Sequence, residues 1–424
     1  MSILSLGRSR NGRLVFATVA MAALGTLGLA PGAVSAAGGD VKELASGADH
    51  TCAIRTDRSV WCWGDNEYYQ LADGTVQNRP KPVRVELDGG GFLDKLSRFD
   101  ASAAHHACGR KPDLTVRCWG DNGSGQLGDG SEDARQFPVK PVKVGGAPLD
   151  DVAALATGYA HTCALTTAHT VWCWGYNSYG QMGVGDHFSH DGFAMQVTRA
   201  GGGNLTGIVA ITAGWTHSCA LKGNGTVWCW GNNSAGEVGD GSFDDEVHRA
   251  VKVKTNGGGT LRGVRDVDAG GEHTCALMRD RTVRCWGLND HDQLGAGTGL
   301  AAEVHLPVKV KLGKGSLRNV VDLSAGWSQT CVVRSDSSAW CWGLNDYGQV
   351  GDGSEHDRPK PVRVRKAGGG VFPATVRSVH GGGEHTCLLK KDGSAWCWGR
   401  SEFGELGNGK TNPETHTPRK VDFP

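Results

Sequence analysis

His161-Thr162-Cys163-Ala164-Leu165, then after a short gap Val171-Trp172-Cys173-Trp174-Gly175, is the pair of segments whose reading decides the fold. The pair recurs along the chain. Its first cysteines are Cys52, Cys108, Cys163, Cys219, Cys275, Cys331 and Cys387, and its second are Cys62, Cys118, Cys173, Cys229, Cys285, Cys341 and Cys397. Partners stand 10 apart, successive pairs follow at 56, 55, 56, 56, 56 and 56 residues, and all 14 cysteines are used. A fixed period of this length marks a solenoid, a propeller or an array.

Outward from the cysteines, every unit reads alike. In the fifth, Val264–Gly270 precedes His273–Leu277, then Thr282–Gly287, a Gly/Asn loop and Pro307–Val310. These are four short strand candidates rich in Val, Trp and Thr and bounded by Gly, Asn, Asp and Pro. Gly201-Gly202-Gly203 and Gly368-Gly369-Gly370 punctuate the units. No long stretch carries a helical period, so residues 41–424 are expected to be all-β. Seven four-stranded units suit a seven-bladed β-propeller, where radial repetition leaves few exposed sheet edges. An open solenoid would need distinct capping repeats, and the first and last units are as regular as the others. Two registers stay open. The units coincide with the blades, or blades straddle units and the termini pair in one sheet.

A hairpin turning near Thr56-Asp57-Arg58 would set Cys52 opposite Cys62. At a non-hydrogen-bonded site their Cα atoms would lie roughly 4.5–5.5 Å apart, within reach of a disulfide. The same register predicts one disulfide per unit: Cys52–Cys62, Cys108–Cys118, Cys163–Cys173, Cys219–Cys229, Cys275–Cys285, Cys331–Cys341 and Cys387–Cys397. Each would contribute about 2–3 kcal/mol by the chain-entropy estimate. Zinc patterns use closer ligand spacing, so no metal is expected. His50, His106, His161, His217, His273 and His385, with Gln329 in the sixth unit, share one repeat position. A catalytic histidine should be singular, so these are expected to satisfy backbone groups inside each blade. Trp63, Trp119, Trp174, Trp230, Trp286, Trp342 and Trp398 are expected between blades.

Residues 1–37 read as a secretory signal peptide: Arg8, Arg10 and Arg13, then the apolar stretch Leu14–Leu29, then small residues around Ala36. Export predicts an oxidising compartment, consistent with paired cysteines, and a secreted, extracellular or envelope location. No later stretch is apolar enough to span a bilayer. The whole chain balances 44 basic against 44 acidic residues, and loss of the three arginines leaves 41 against 44. No Lys/Arg run marks a basic patch, so nucleic acid is not an expected partner.

Gly120-Asp121-Asn122-Gly123-Ser124-Gly125-Gln126-Leu127-Gly128, Pro141-Val142-Lys143-Val144 and Ala213-Gly214-Trp215-Thr216-His217-Ser218-Cys219-Ala220-Leu221 resemble the RCC1 (regulator of chromosome condensation) repeat. The resemblance covers roughly residues 41–424, recurs in all seven units and implies a seven-bladed propeller. The paired cysteines depart from the common pattern and fit a secreted bacterial branch, which uses one propeller face to bind a protein. Fold resemblance does not name a partner.

Identical positions build the ring, so recognition belongs to positions that differ between units. One variable loop holds the two residues before the histidine: Ala48-Asp49, Ala104-His105, Tyr159-Ala160, Trp215-Thr216, Gly271-Glu272, Trp327-Ser328 and Gly383-Glu384. These are expected to gather on one face near the axis. The second follows Trp-Gly and holds Tyr68, Tyr69, Tyr176, Tyr179, His291, Tyr347 and Phe403. Exposed Trp and Tyr anchor protein interfaces and also stack on sugars. The candidate contact residues are therefore Tyr159, Trp215, Trp327, Tyr68, Tyr176, Tyr179, Tyr347 and Phe403, unless these rings simply pack on their own loops. An extracellular protein is the preferred partner and a cell-surface glycan the second. A hydrolase or lyase using Asp49, Glu272 and Glu384 at the axial mouth is third. No GxSxG, P-loop or HExxH supports an enzyme, and the Asp/Asn/Gly loops lack calcium-ligand spacing. No cofactor is expected, and a monomer is the default.

Overall fold

The computed structural model describes residues 40–424 except 102–104, 187, 189 and 413. The segment read as a signal peptide lies outside the described residues, as does Ala104. The described residues form seven four-stranded antiparallel sheets, each with its strands in chain order. In the third blade these are Val152–Thr157, His161–Thr166, Val171–Tyr176 and His190–Gln196. Each sheet lies inside one sequence unit, which settles the register: units are blades, and no strand is exchanged where the ring closes. First strands of successive blades contact one another around the axis, the seventh meeting the first. No helix occurs among the described residues, and none is long and apolar enough to cross a membrane.

Antiparallel order sorts the connections onto two faces. The first-to-second and third-to-fourth connections emerge on one, here the loop face. The second-to-third hairpins and the links between blades emerge on the other, the hairpin face. Both variable loops therefore share one face, as the sequence suggested.

The hairpins explain the cysteines. In the first blade the Arg55 N–H donates to Ser59 O, so hydrogen-bonded pairs alternate outward and Cys52 opposite Cys62 falls on a non-hydrogen-bonded site. The three-residue turn places Arg58 in the left-handed region at φ 69°, and Asp57 accepts the Ser59 N–H at 2.9 Å. The equivalent positions Leu114, His169, Gly225, Arg281, Ser337 and Gly393 also have positive φ. All seven disulfides form as expected, with Cα atoms 4.0–4.1 Å apart, slightly closer than the sequence estimate.

Two hydrogen-bond chains join the blades. Each tryptophan after the second cysteine is fully buried. Its Nε1–H donates to the backbone oxygen of Glu405, Gln70, Gln126, Gln181, Glu237, Gln293 or Gln349 of the preceding blade, at 2.8–3.0 Å. These are the inter-blade residues the sequence predicted. The histidines differ from expectation. They reach the hydroxyl after the next blade's histidine position, not backbone within their own blade. His106, His161, His217, His273 and His385 meet Thr162, Ser218, Thr274, Thr330 and Thr51 at 2.7–2.9 Å. Thr162, Ser218, Thr274 and Thr330 donate onward to the same loop carbonyls at 2.8–3.1 Å. A hydroxyl has one proton, and the carbonyl takes it, so Nε2 of His106, His161, His217 and His273 must be the donor. Burial supports the neutral ring: it pushes His106, His161 and His217 down to about 3. The relay breaks at two seams. In the sixth blade Gln329 stands in for the histidine and donates instead to the backbone oxygens of Gly382 at 3.1 Å and His385 at 3.2 Å. Ala107 stands where the other blades carry a hydroxyl, and both His50 nitrogens lack a partner among the described residues.

Candidate functional site

The loop face carries a chain of rings across five blades. Centroids are 5.5 Å apart for Tyr68–His105, 5.7 Å for His105–Tyr159, 6.5 Å for Tyr159–Trp215 and 5.1 Å for Trp215–Trp327. Tyr68 is 41% exposed and Tyr159 46%, while Trp215 and Trp327 are half-buried. Glycine seats set the tryptophans. A Cβ on Gly271 would fall 3.1 Å from the Trp215 ring, and one on Gly383 would fall 3.0 Å from that of Trp327. The Trp215 N–H donates to Gly271 O at 3.0 Å, which locks the ring over the fifth blade. The fifth blade's small residue thus lets Trp215 reach past it to Trp327. Nε1 of both tryptophans is shielded and without an acceptor among the described residues.

The rest of the candidate residues divide. Tyr176 and Tyr179 pack edge-on at 6.2 Å within their own loop, the bland alternative for such rings. Tyr347 and Phe403 clasp Arg400, whose guanidinium lies 5.7 Å and 5.1 Å from their centroids. Arg400 also joins the acidic sector. It donates to Glu384 at 2.9 Å and Glu402 at 2.7 Å, and lies 3.6 Å from Asp49. Asp49 and Glu384 are therefore brought together across the ring closure, as expected of neighbouring first and seventh units. Burial raises both carboxyls, against the pull of Arg400. Glu272 belongs to the fifth blade, where burial and Asp290 raise it. The arrangement is an ion-pair network of three carboxylates, Asp49, Glu384 and Glu402, on one guanidinium.

Sequence reasoning named the variable loops but missed His105 and Arg400 as organisers. His105 stood in one of the variable pairs without being counted among its aromatics. Arg400 follows Trp-Gly, where Tyr176, Asn232 and Leu288 stand in other blades.

The loops rest on a repeated frame. Asn66 Oδ1 accepts the Leu71 N–H at 3.0 Å, and Gln70 Oε1 accepts the Tyr68 N–H at 2.8 Å. Glu237 and Glu405 replace that glutamine in the fourth and seventh blades. Each uses one oxygen on a backbone N–H and leaves Oε1 buried without a partner, and burial raises each to about 7. Near the axis, Asp268 and Asp322 accept the Ala325 and Val379 N–H groups of the following blades at 2.9 Å, and burial raises both to about 7.

Comparison with known proteins places this geometry. The RCC1-like domain model matches residues 115–424, and the RCC1 repeat models match 41–70 and 57–110. The Ultraviolet-B receptor UVR8 of Arabidopsis thaliana is 30% identical over 87% of this chain and 79% of its own length. Protein pim1 of Schizosaccharomyces pombe is 28% identical over 82% of this chain and 67% of its own. The crystal structure of Prp20p from Saccharomyces cerevisiae superposes with a TM-score of 0.71 at 22% identity, covering 87% of both chains. With its repeat, its blades and these matches in agreement, the chain belongs to the RCC1-like family.

Proposed function

We propose that this chain is an exported binding propeller that takes a protein partner on its loop face. The observation that carries the reading is the ring chain from Tyr68 to Trp327, built from positions that differ between otherwise identical blades. Half-buried tryptophans continued by the more exposed Tyr159 and Tyr68 offer the Trp and Tyr anchors that protein interfaces favour. Seven disulfides and the signal-like N-terminus support an oxidising location. Among relatives, the study of Prp20p names its binding to Gsp1p and histones, which supports a protein-binding use of the propeller. Asp49 and Glu384 are engaged by Arg400, so their charge has a structural use that needs no chemistry.

The test is capture from extracellular proteins by the oxidised chain and by Trp215→Ala/Trp327→Ala. Loss of a retained protein with an unchanged melting temperature supports the reading. A retained glycan in place of a protein would replace the partner class. Unfolding of the double variant would assign the tryptophans to packing, and Tyr159→Ala, the more exposed ring, then carries the same test.

A further inference from the structure

The hairpin face departs from its repeat in the fifth blade. At the residue before the second cysteine, five blades carry tryptophan: Trp61, Trp172, Trp228, Trp340 and Trp396. In four of them a cation lies across the ladder, Arg84, Lys252, Arg363 or Lys420. A cation from the second strand also lies over the ring, such as Lys222 at 5.4 Å from Trp228 and Arg334 at 5.5 Å from Trp340. The aromatic face thus answers the positive charge.

The fifth blade breaks this rule. Arg284 replaces the tryptophan and stands directly opposite Lys309, while Met278 takes the second-strand cation's place. Like charges opposed in an antiparallel pair are destabilising. The loops add to the excess. Arg262 and Gly263 from the link into the blade, Arg279 from its hairpin and Arg318 from its exit line the same hollow of about 330 Å³. Its only carboxylate is Asp280, and Asp280 Oδ1 is occupied by the Thr282 N–H at 3.1 Å and hydroxyl at 2.6 Å. None of the five cations forms a salt bridge among the described residues. Asp280 feels the pull of Arg318 and Arg284, yet one carboxylate against five cations leaves the hollow strongly positive. Guanidinium forks in such excess fit a tetrahedral oxyanion, which can accept paired N–H bonds from more than one arginine.

We infer that the hollow between Arg262, Arg279, Arg284, Lys309 and Arg318 is a binding site for a multiply charged oxyanion of the phosphate or sulfate type. The strands bearing Arg284 and Lys309 supply the floor, and Arg262, Arg279 and Arg318 line it from the flanking loops. The site sits on the opposite face from the aromatic chain, so it does not depend on that face having a partner.

The test is calorimetric titration of the oxidised full chain with inorganic pyrophosphate at low salt. Arg284→Trp restores the residue of the other blades and should fold. It is expected to weaken binding about tenfold or more, the effect of losing a hydrogen bond to a charged group. Arg117→Trp makes the same change in the second blade, which also carries arginine there, and is expected to leave affinity unchanged. Lys309→Gln serves as the second variant should Arg284→Trp fail to fold. A parallel arm with phosphatidic acid vesicles separates a free anion from a lipid headgroup: binding in either arm that Arg284→Trp removes supports the site. No saturable binding in either arm would overturn the inference. So would equal losses in the Arg284 and Arg117 variants, which would mean diffuse attraction to a positive face.

Discussion

Seven near-identical units build both faces of the ring, yet the faces carry opposite chemistry. Exposed charge on the loop face is largely carboxylate, as at Glu67, Glu132, Asp133, Asp244, Asp290 and Asp346. On the hairpin face it is largely cationic, as at Arg58, Arg279, Arg281, Lys314, Lys366 and Lys391. Aromatic rings follow the same division. On the loop face most meet each other, Trp215 on Trp327 at 5.1 Å, while Tyr347 and Phe403 hold Arg400. Toward the hairpin face they meet cations, Lys390 lying 5.8 Å from Trp396. Hairpin turns fix their own acids, since Asp57, Asp280 and Asp392 each accept the N–H two residues on. The lesson is that a chain of near-zero net charge presents two strongly polarised surfaces. Each can attract a partner the other would repel.

The largest way to stress the comparison is reduction of the disulfides, which lie between the two faces in every blade. At about 2–3 kcal/mol each, loss of all seven should unfold the ring. Thermal melts with and without a thiol, followed by proteolysis, should show loops of both faces becoming labile together. Nicking confined to the loop face would mean that the faces are separately stable.

The seams come next. Thr274→Val removes the acceptor of His217 and the donor to the Glu237 carbonyl, and should cost about 1–3 kcal/mol in urea denaturation. Ala107→Thr supplies the hydroxyl that His50 lacks and should stabilise by about 1 kcal/mol. If the two changes have the same sign, the hydroxyl relay is not what joins the blades.

A pH-dependent effect separates the glutamine and glutamate blades. Burial raises Glu237 from its ordinary value to about 7. A raised carboxyl contributes stability at acid pH, below the unfolded value, and loses it as pH rises through the folded value. The advantage of Glu237→Gln over the native chain should therefore grow between about pH 4.5 and pH 7 and level off above. An advantage that shrank with rising pH would contradict the buried, unpartnered carboxyl. The smallest effect is at the turns. Leu114→Gly relieves a bulky side chain at φ 67° and should be neutral or gain up to about 1 kcal/mol. A clear loss would mean that Leu114 packs on the hairpin face.

The blades, the strand order and all seven disulfides were legible because they rest on identical residues at a fixed period. The candidate loops were legible for the converse reason, since Tyr159, Trp215 and Trp327 vary in a constant frame. Three things were not. The relay was misread because a histidine and its partner lie 56 or 57 residues apart, in different blades. The reading that no basic field exists looked for runs of Lys and Arg. Here Arg262, Arg284 and Arg318 are scattered in sequence and meet only because strand, link and hairpin end at one face. Arg400 was missed because its partners come from three segments, Asp49, Glu384 and Tyr347.

Recognition of a protein is assigned above all to the loop face. It is tested most directly by measuring one captured extracellular partner against three folded chains: native, Trp215→Ala/Trp327→Ala and Arg284→Trp/Lys309→Gln. The partner should be lost by the loop-face variant and held by the hairpin-face variant. A partner held by the first and lost by the second would contradict it and move recognition to the basic face.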